Sequence, residues 1–223
     1  MDPLLMVDDF VMMGPTFAPH IHAGISVVTV LFEDSIGQLL SRDSLGLNIE
    51  LRAGDVYWLA AASGAAHEEK PSEGARVHAL QIFVSLPNRL KAQPARATHV
   101  RADEVIAVRG PKHRVRNLLK QSNEIRGAGG MPDEMIMLDG VLESGGIFDH
   151  QLGDDLQAWI YTVSGALCVH CEGDKCPLSA GDAMTIGMGS VTNVTLEANE
   201  GTHFVLVAAK PMSGPFFIRD NAP

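Results

Sequence analysis

Four side chains of ligand type stand in two pairs at one spacing. His20 and His22 lie in A-P-H-I-H-A-G (18–24), and His67 and Glu69 lie in G-A-A-H-E-E-K (64–70). On a strand, residues i and i+2 project from one face, so each pair points as a unit. Two such strands neighbouring one another in a barrel would bring three neutral imidazoles and one carboxylate together in its interior. That mixed nitrogen–oxygen set suits Fe(II), and also Mn, Ni, Cu or Zn. An octahedral ion with four protein ligands keeps two positions open, which O2 or a bidentate pair of substrate oxygens needs. A lone His-x-His carries little signal, and His67-Glu68-Glu69 alone reads as an acidic loop. The pairing carries the reading: both motifs sit beside glycines, and the Gly54-Asp55 turn precedes the second. Glu68 is read as an exposed neighbour. His78, on an apolar strand, reads as a hydrogen-bonded core residue. His99, His113, His150, His170 and His203 lack a ligand-spaced partner and read as structural or exposed.

The elements that must position the pairs are short strands. Ile25–Phe32, Asn48–Arg52, Val56–Leu59, Val77–Leu86, Trp159–Val163, Leu167–Cys171 and Phe204–Ala208 are β-branched, apolar or alternating. Turn chemistry separates them at R-D-S-L-G (42–46), A-G-D (53–55), E-G-D-K (172–175) and A-G-D (180–182). Many short strands with regular turns predict an all-β sandwich or barrel. L-R-A-G-D-V (51–56) echoes L-S-A-G-D-A (178–183), which suggests two copies of one β fold. A shift of 127 places Val194 at the position of His67 and Leu196 at that of Glu69, so the second copy lacks the His-x-Glu pair. The expected division is residues 1–95, a basic connecting segment 96–130, in which G-A-G-G-M-P (127–132) reads as a boundary, and residues 131–223.

The chain has 223 residues and a formal charge of −10, which argues against direct nucleic-acid binding. Residues 89–126 nonetheless hold ten of its seventeen lysines and arginines, a solvated face or a docking surface for an acidic protein partner. No apolar run is long enough for a membrane helix, and the acidic opening M-D-P-L-L-M-V-D-D-F lacks the features of a signal peptide; a cytoplasmic location is expected. The three cysteines are Cys168, Cys171 and Cys176. On a strand, Cys168 and Cys171 point to opposite faces, which argues against a zinc or redox Cys-x-x-Cys. Cys171 and Cys176 flank a turn and could face each other across a hairpin. Free thiols are expected in a reducing compartment.

Gly14 followed by His20-x-His22, and Gly54-Asp55 followed by Gly64-x-x-His67, resemble the two cupin motifs. More specifically the chain resembles the pirin family. D-P-L-L-M-V-D-D-F (2–10), P-H-I-H-A-G (19–24), V-V-T-V (27–30), R-D-S-L-G (42–46), G-D-V-Y-W-L (54–59), G-A-A-H-E-E (64–69) and L-Q-I-F-V-S-L-P (80–87) follow in the pirin order. W-I-Y-T-V-S-G (159–165) and H-F-V-L-V-A-A-K-P (203–211) resemble the second pirin cupin.

The resemblance implies a bicupin, two cupin barrels in tandem, with one mononuclear iron in the N-terminal barrel and none in the C-terminal one. His20, His22, His67 and Glu69 match the family's ligands. It also implies one of two activities. Some bacterial pirins open quercetin with O2; others are described as redox-sensitive regulators that bind protein partners. For the first, a flavonol-like substrate would bind through its 3-oxygen, and Glu69 is the best base for that proton. Phe17, Val28, Val30 and Trp58 are candidates for the pocket wall. Where pirins place Arg-Gly-Phe-Glu-Thr after the second histidine, this chain has Ala23-Gly24-Ile25-Ser26-Val27, so a basic and an acidic neighbour are missing. Family members also carry strands ahead of the Asp-Pro motif and a segment beyond G-P-F-F (214–217), so a more open pocket edge is expected here.

Overall fold

The structure, a computed structural model, describes residues 2–121 and 135–212. G-A-G-G-M-P at 127–132 and G-P-F-F at 214–217 lie outside the described residues. The N-terminal half builds β1 (Leu4–Met12), β2 (His20–His22), β3 (Ile25–Leu31), β4 (Leu39–Asp43), β5 (Asn48–Leu51), β6 (Val56–Ala60), β7 (Ala65–Pro71) and β8 (Val77–Ser85). A four-residue helix, Asn88–Lys91, leads to β9 (Arg96–Val100). One sheet runs β1-β8-β3-β6-β9 and the other β2-β7-β4-β5, all antiparallel.

The C-terminal half repeats the plan. It contains β10 (Val105–Gly110), β11 (His113–Gln121), β12 (Ile136–Leu142), β13 (Gly146–Leu152), β14 (Gln157–Ser164), β15 (Ala166–Cys171), β16 (Asp174–Ser179), β17 (Ala183–Ile186), β18 (Thr192–Ala198) and β19 (Thr202–Ala209). Its sheets run β10-β11-β12-β19-β14-β17 and β13-β18-β15-β16. This is an all-β cupin pair. Of the segment 96–130, β9 therefore joins the first half's sheet, and β10 and β11 join the second's.

The repeated Leu-x-Ala-Gly-Asp has one structural job in both copies. Gly54 and Gly181 both take φ +87°, a conformation that a Cβ disfavours. The following aspartate then closes the turn with its side chain. Asp55 accepts from the Arg52 N–H at 3.0 Å, and Asp182 from the Ser179 N–H at 2.8 Å.

Both faces of β3 are buried, which is why its sequence is a continuous β-branched run rather than an alternation. Leu31 packs inside the first barrel with Tyr57, Leu59 and Ala79. Val28, Val30 and Phe32 face the other way and pack with Met137, Val205 and Val207 of the second half. Polar ties cross the same boundary. Arg116, buried against Asp139, donates to the Gly54 carbonyl at 2.8 Å, Arg114 pairs with Glu33, and the Tyr161 hydroxyl donates to Asp9 at 2.6 Å.

Candidate metal centre

β7 carries the site because its pleat sorts its residues. Ala65, His67, Glu69 and Pro71 are buried, whereas Ala66, Glu68 and Lys70 are half-buried and point outward. The edge strand β2 pairs antiparallel with β7, setting His20 opposite His67 and His22 opposite Ala65. Ile21, between the two histidines, is 74% exposed, so both imidazoles turn toward the barrel. The exit from β2 needs Gly24 at φ +74°, whose N–H bonds the Ala62 carbonyl at 2.7 Å.

Three imidazoles converge there. The Nε2 atoms of His20 and His22 each lie 3.2 Å from that of His67. The Nδ1–H of His20 can donate to the Ala18 carbonyl at 3.0 Å, which leaves Nε2 as a lone-pair donor aimed into the cluster. Burial, then the charges of His20 and His22, push the His67 imidazole down to about 4. Burial, then His20, also lowers His22. The rings of His67 and His22 therefore favour neutral forms. His67 has one proton to offer on Nε2, too few to satisfy two facing nitrogens, and its buried Nδ1 has no partner. A cation at the centre resolves this conflict. Metal–imidazole bonds of about 2.1 Å place ligand nitrogens roughly 3.0–3.4 Å apart in octahedral or tetrahedral geometry, which matches the 3.2 Å found. The donor set fits a divalent metal.

Glu69 lies on the same inner face and shares a pocket with His20, but the group of converging donor atoms comprises the three histidines without it. Its carboxylate is otherwise held: the Thr29 hydroxyl donates at 2.9 Å and the Gln81 amide at 2.7 Å, and the same amide reaches Thr29 at 3.1 Å. Burial pushes Glu69 up to about 6 against the pull of those two donors. Thr29 and Gln81 escaped the sequence reading. Their signal was the one polar residue in V-V-T-V (27–30) and in A-L-Q-I-F-V (79–84).

The second barrel shows that these residues belong together. β18 sits where β7 does, and strand register relates the two barrels position by position. Val194 replaces His67 and Leu196 replaces Glu69, as the shift of 127 indicates. By pairing, Leu152 stands for His22, Ile160 for Thr29 and Leu206 for Gln81, and all five are buried in that barrel's core. Only His150, at the position of His20, stays polar, and its buried Nε2 has no partner.

A cavity of about 120 Å³ opens beside His20, Glu69 and Gln81, with Phe10, Phe17 and Phe83 in its wall. Phe17 thus stands where the sequence placed it. Val28, Val30 and Trp58 do not, because they lie on the outer face of their sheet against the second barrel. With both faces of the sheet apolar, the sequence pattern could not say which face looked inward. His78 bridges Asp34 and Asp9 rather than a metal. Cys168 and Cys171 occupy alternate faces of β15, and Cys171 and Cys176 share one face of the β15–β16 hairpin as free thiols. Within the basic segment, Arg101 pairs with Asp103, Lys112 with the Ser144 carbonyl, Arg114 with Glu33 and Arg116 with Asp139. Among the described residues, no helix is long and apolar enough to cross a membrane.

Comparison with known proteins agrees with this architecture. The family model described as Pirin matches residues 2–84. A Pseudomonas aeruginosa protein provisionally named a quercetin 2,3-dioxygenase is 30% identical, over 96% of this chain and 77% of that protein. Human pirin is 24% identical, over 99% of this chain and 78% of its own. Among solved structures, a quercetin 2,3-dioxygenase from Acinetobacter baumannii superposes with a TM-score of 0.80 at 22% identity, covering 96% of this chain and 77% of that one. The bacterial pirin YhhW from Escherichia coli, in complex with nickel(II), gives 0.70 at 23% identity, covering 94% and 83%.

Proposed function

The chain belongs to the pirin family, and from that premise we propose that it is a mononuclear-metal dioxygenase of the quercetin 2,3-dioxygenase type, acting on a flavonol-like aromatic. The observation that carries the reading is the set of three imidazole Nε2 atoms, those of His20 and His22 each 3.2 Å from that of His67, beside a cavity with aromatic rings in its wall. In this reading His20, His22 and His67 hold the ion, with Glu69 as the fourth ligand-type group of the site, and iron(II) is the working metal. The nickel(II) bound by a bacterial pirin supports a divalent ion in general. A bound ion would supply Lewis acidity to a substrate oxygen and lower its pKa.

The chain's own residues supply the rest. Glu69, buried on the inner face and lining the cavity with His20, is the carboxylate placed to take the proton from the flavonol 3-hydroxyl. Thr29 and Gln81 fix its carboxylate so that its free lone pairs keep one direction. Phe10, Phe17 and Phe83 present ring faces and edges to a flat ligand and keep water from the reacting carbon. A regulatory reading, with docking through residues 89–126, draws no comparable support, since much of that charge is paired within the chain.

The test is turnover. Protein loaded anaerobically with Fe(II) should consume quercetin and O2 together on admission of air, and His67→Ala should abolish both. Absence of turnover with Fe, Mn, Ni, Cu or Zn loaded would contradict the proposal.

A further inference from the structure

β1 carries two adjacent carboxylates with opposite fates. Asp9 faces the second barrel and is held there by Tyr161 at 2.6 Å and His78 at 3.0 Å. Asp8 faces the other way, into the cavity beside His20 and Glu69, opposite Gln81 in register. It is half-buried, and among the described residues it has no hydrogen-bond or ion-pair partner. Met6, Phe10, Phe17 and Phe83 line the same cavity, and its other polar side chains, His20, Glu69 and Gln81, make no hydrogen bond to Asp8. An ionised carboxylate is an acceptor only. One left without a donor in an apolar wall is costly unless a ligand or water supplies one.

We infer that Asp8 is a specificity-determining residue of this pocket, accepting a hydrogen bond from a second hydroxyl of the bound aromatic, other than the oxygen that the metal centre takes. The ligand class is then a polyhydroxylated flat aromatic rather than a bare one. A cationic ligand fits less well, because it would share about 120 Å³ with the charge of a metal ion. A site built to pair a hydroxyl discriminates strongly against the analogue that lacks it, since its own polar group is left unpaired. The inference rests on the flavonol reading of the pocket and adds to it the feature of the ligand that is selected.

The test is anaerobic binding to the metal-loaded protein, which separates recognition from turnover. Quercetin and 3-hydroxyflavone share the 3-hydroxyl and differ in the remaining hydroxyls. Wild type should bind quercetin about tenfold or more tightly than 3-hydroxyflavone, the range expected of a hydrogen bond to a charged acceptor. Asp8→Ala should reduce that ratio to about threefold or less, and the near-isosteric Asp8→Asn should fall between. An unchanged ratio in both variants, with native circular dichroism, would overturn the role of Asp8 and leave the flavonol reading standing. Failure of wild type to bind either compound would overturn both.

Discussion

Replacing Gln81 with leucine, the residue that the second barrel has in its place, tests whether Glu69, Thr29 and Gln81 act as one unit. The Gln81 amide donates to Glu69 at 2.7 Å and to Thr29 at 3.1 Å, and Glu69 is only 5% exposed. Water therefore cannot readily replace the lost donor. A hydrogen bond to a buried charged group is worth about 1.5–3 kcal/mol, and leaving the acceptor unsatisfied adds to the loss. Gln81→Leu should destabilise the metal-free protein by about 2–3 kcal/mol, or roughly 5–10 °C in a chain of this length. Glu69→Leu alone takes the acceptor from one Gln81 N–H and from the Thr29 hydroxyl and should also destabilise, though by less, because it also relieves the burial of a charge. The double variant, Glu69→Leu with Gln81→Leu, removes donor and acceptor together. It should therefore be less destabilised than the sum of the two by about 1.5 kcal/mol or more. The assay is urea unfolding at pH 7.5 in the presence of chelator, so that metal binding does not contribute. Additive losses, within about 0.5 kcal/mol, would show that the three side chains do not act as one unit.

Two further outcomes follow from the buried charges. Burial alone would raise the Asp139 carboxyl, but the hydrogen bond from His203 and the charge of Arg116 hold it below its ordinary value. A depressed carboxylate contributes stability above its unfolded pKa of about 3.9 and loses it as pH falls through the folded value. Asp139→Asn should thus flatten the loss of stability below about pH 4. At neutral pH it should cost about 3 kcal/mol, since Arg116 is left buried without its carboxylate; equilibrium unfolding across pH reads both. Burial lowers His150, whose Nε2 is stranded in the apolar lumen of the second barrel. Its share of stability is present above about pH 6.5 and falls as pH drops toward the folded value. His150→Leu should therefore raise the melting temperature slightly and more at pH 5 than at pH 7.5, which thermal unfolding at the two pH values checks.

The all-β architecture was legible because its turns are chemically marked and its strands are β-branched. Ile25–Phe32, Val77–Leu86 and Leu167–Cys171 coincide with β3, β8 and β15 to within a residue or so. Period-2 spacing also foretold that His67 and Glu69 would share a face, and that His20 and His22 would too. What stayed hidden was the orientation of strands buried on both sides. β3 has apolar residues at every position but Ser26 and Thr29, so nothing in its pattern separated Val28, against the second barrel, from Thr29, against Glu69. Asp8 was hidden for a similar reason: an acidic pair on a strand gives no hint that one carboxylate is tied and the other open. The cost of the polar ladder is visible only in the comparison of the two barrels, where Leu152, Ile160, Val194, Leu196 and Leu206 close the same space with hydrocarbon.

The proposed chemistry stands or falls with a metal centre at His20, His22 and His67. Elemental analysis of anaerobically purified protein, beside His67→Ala, tests it most directly. Wild type should hold about one divalent ion per chain, with iron foremost, and the variant almost none. A wild-type chain that stays metal-free after reconstitution with Fe, Ni, Mn, Cu and Zn, or a His67→Ala variant that keeps its full complement, would contradict it.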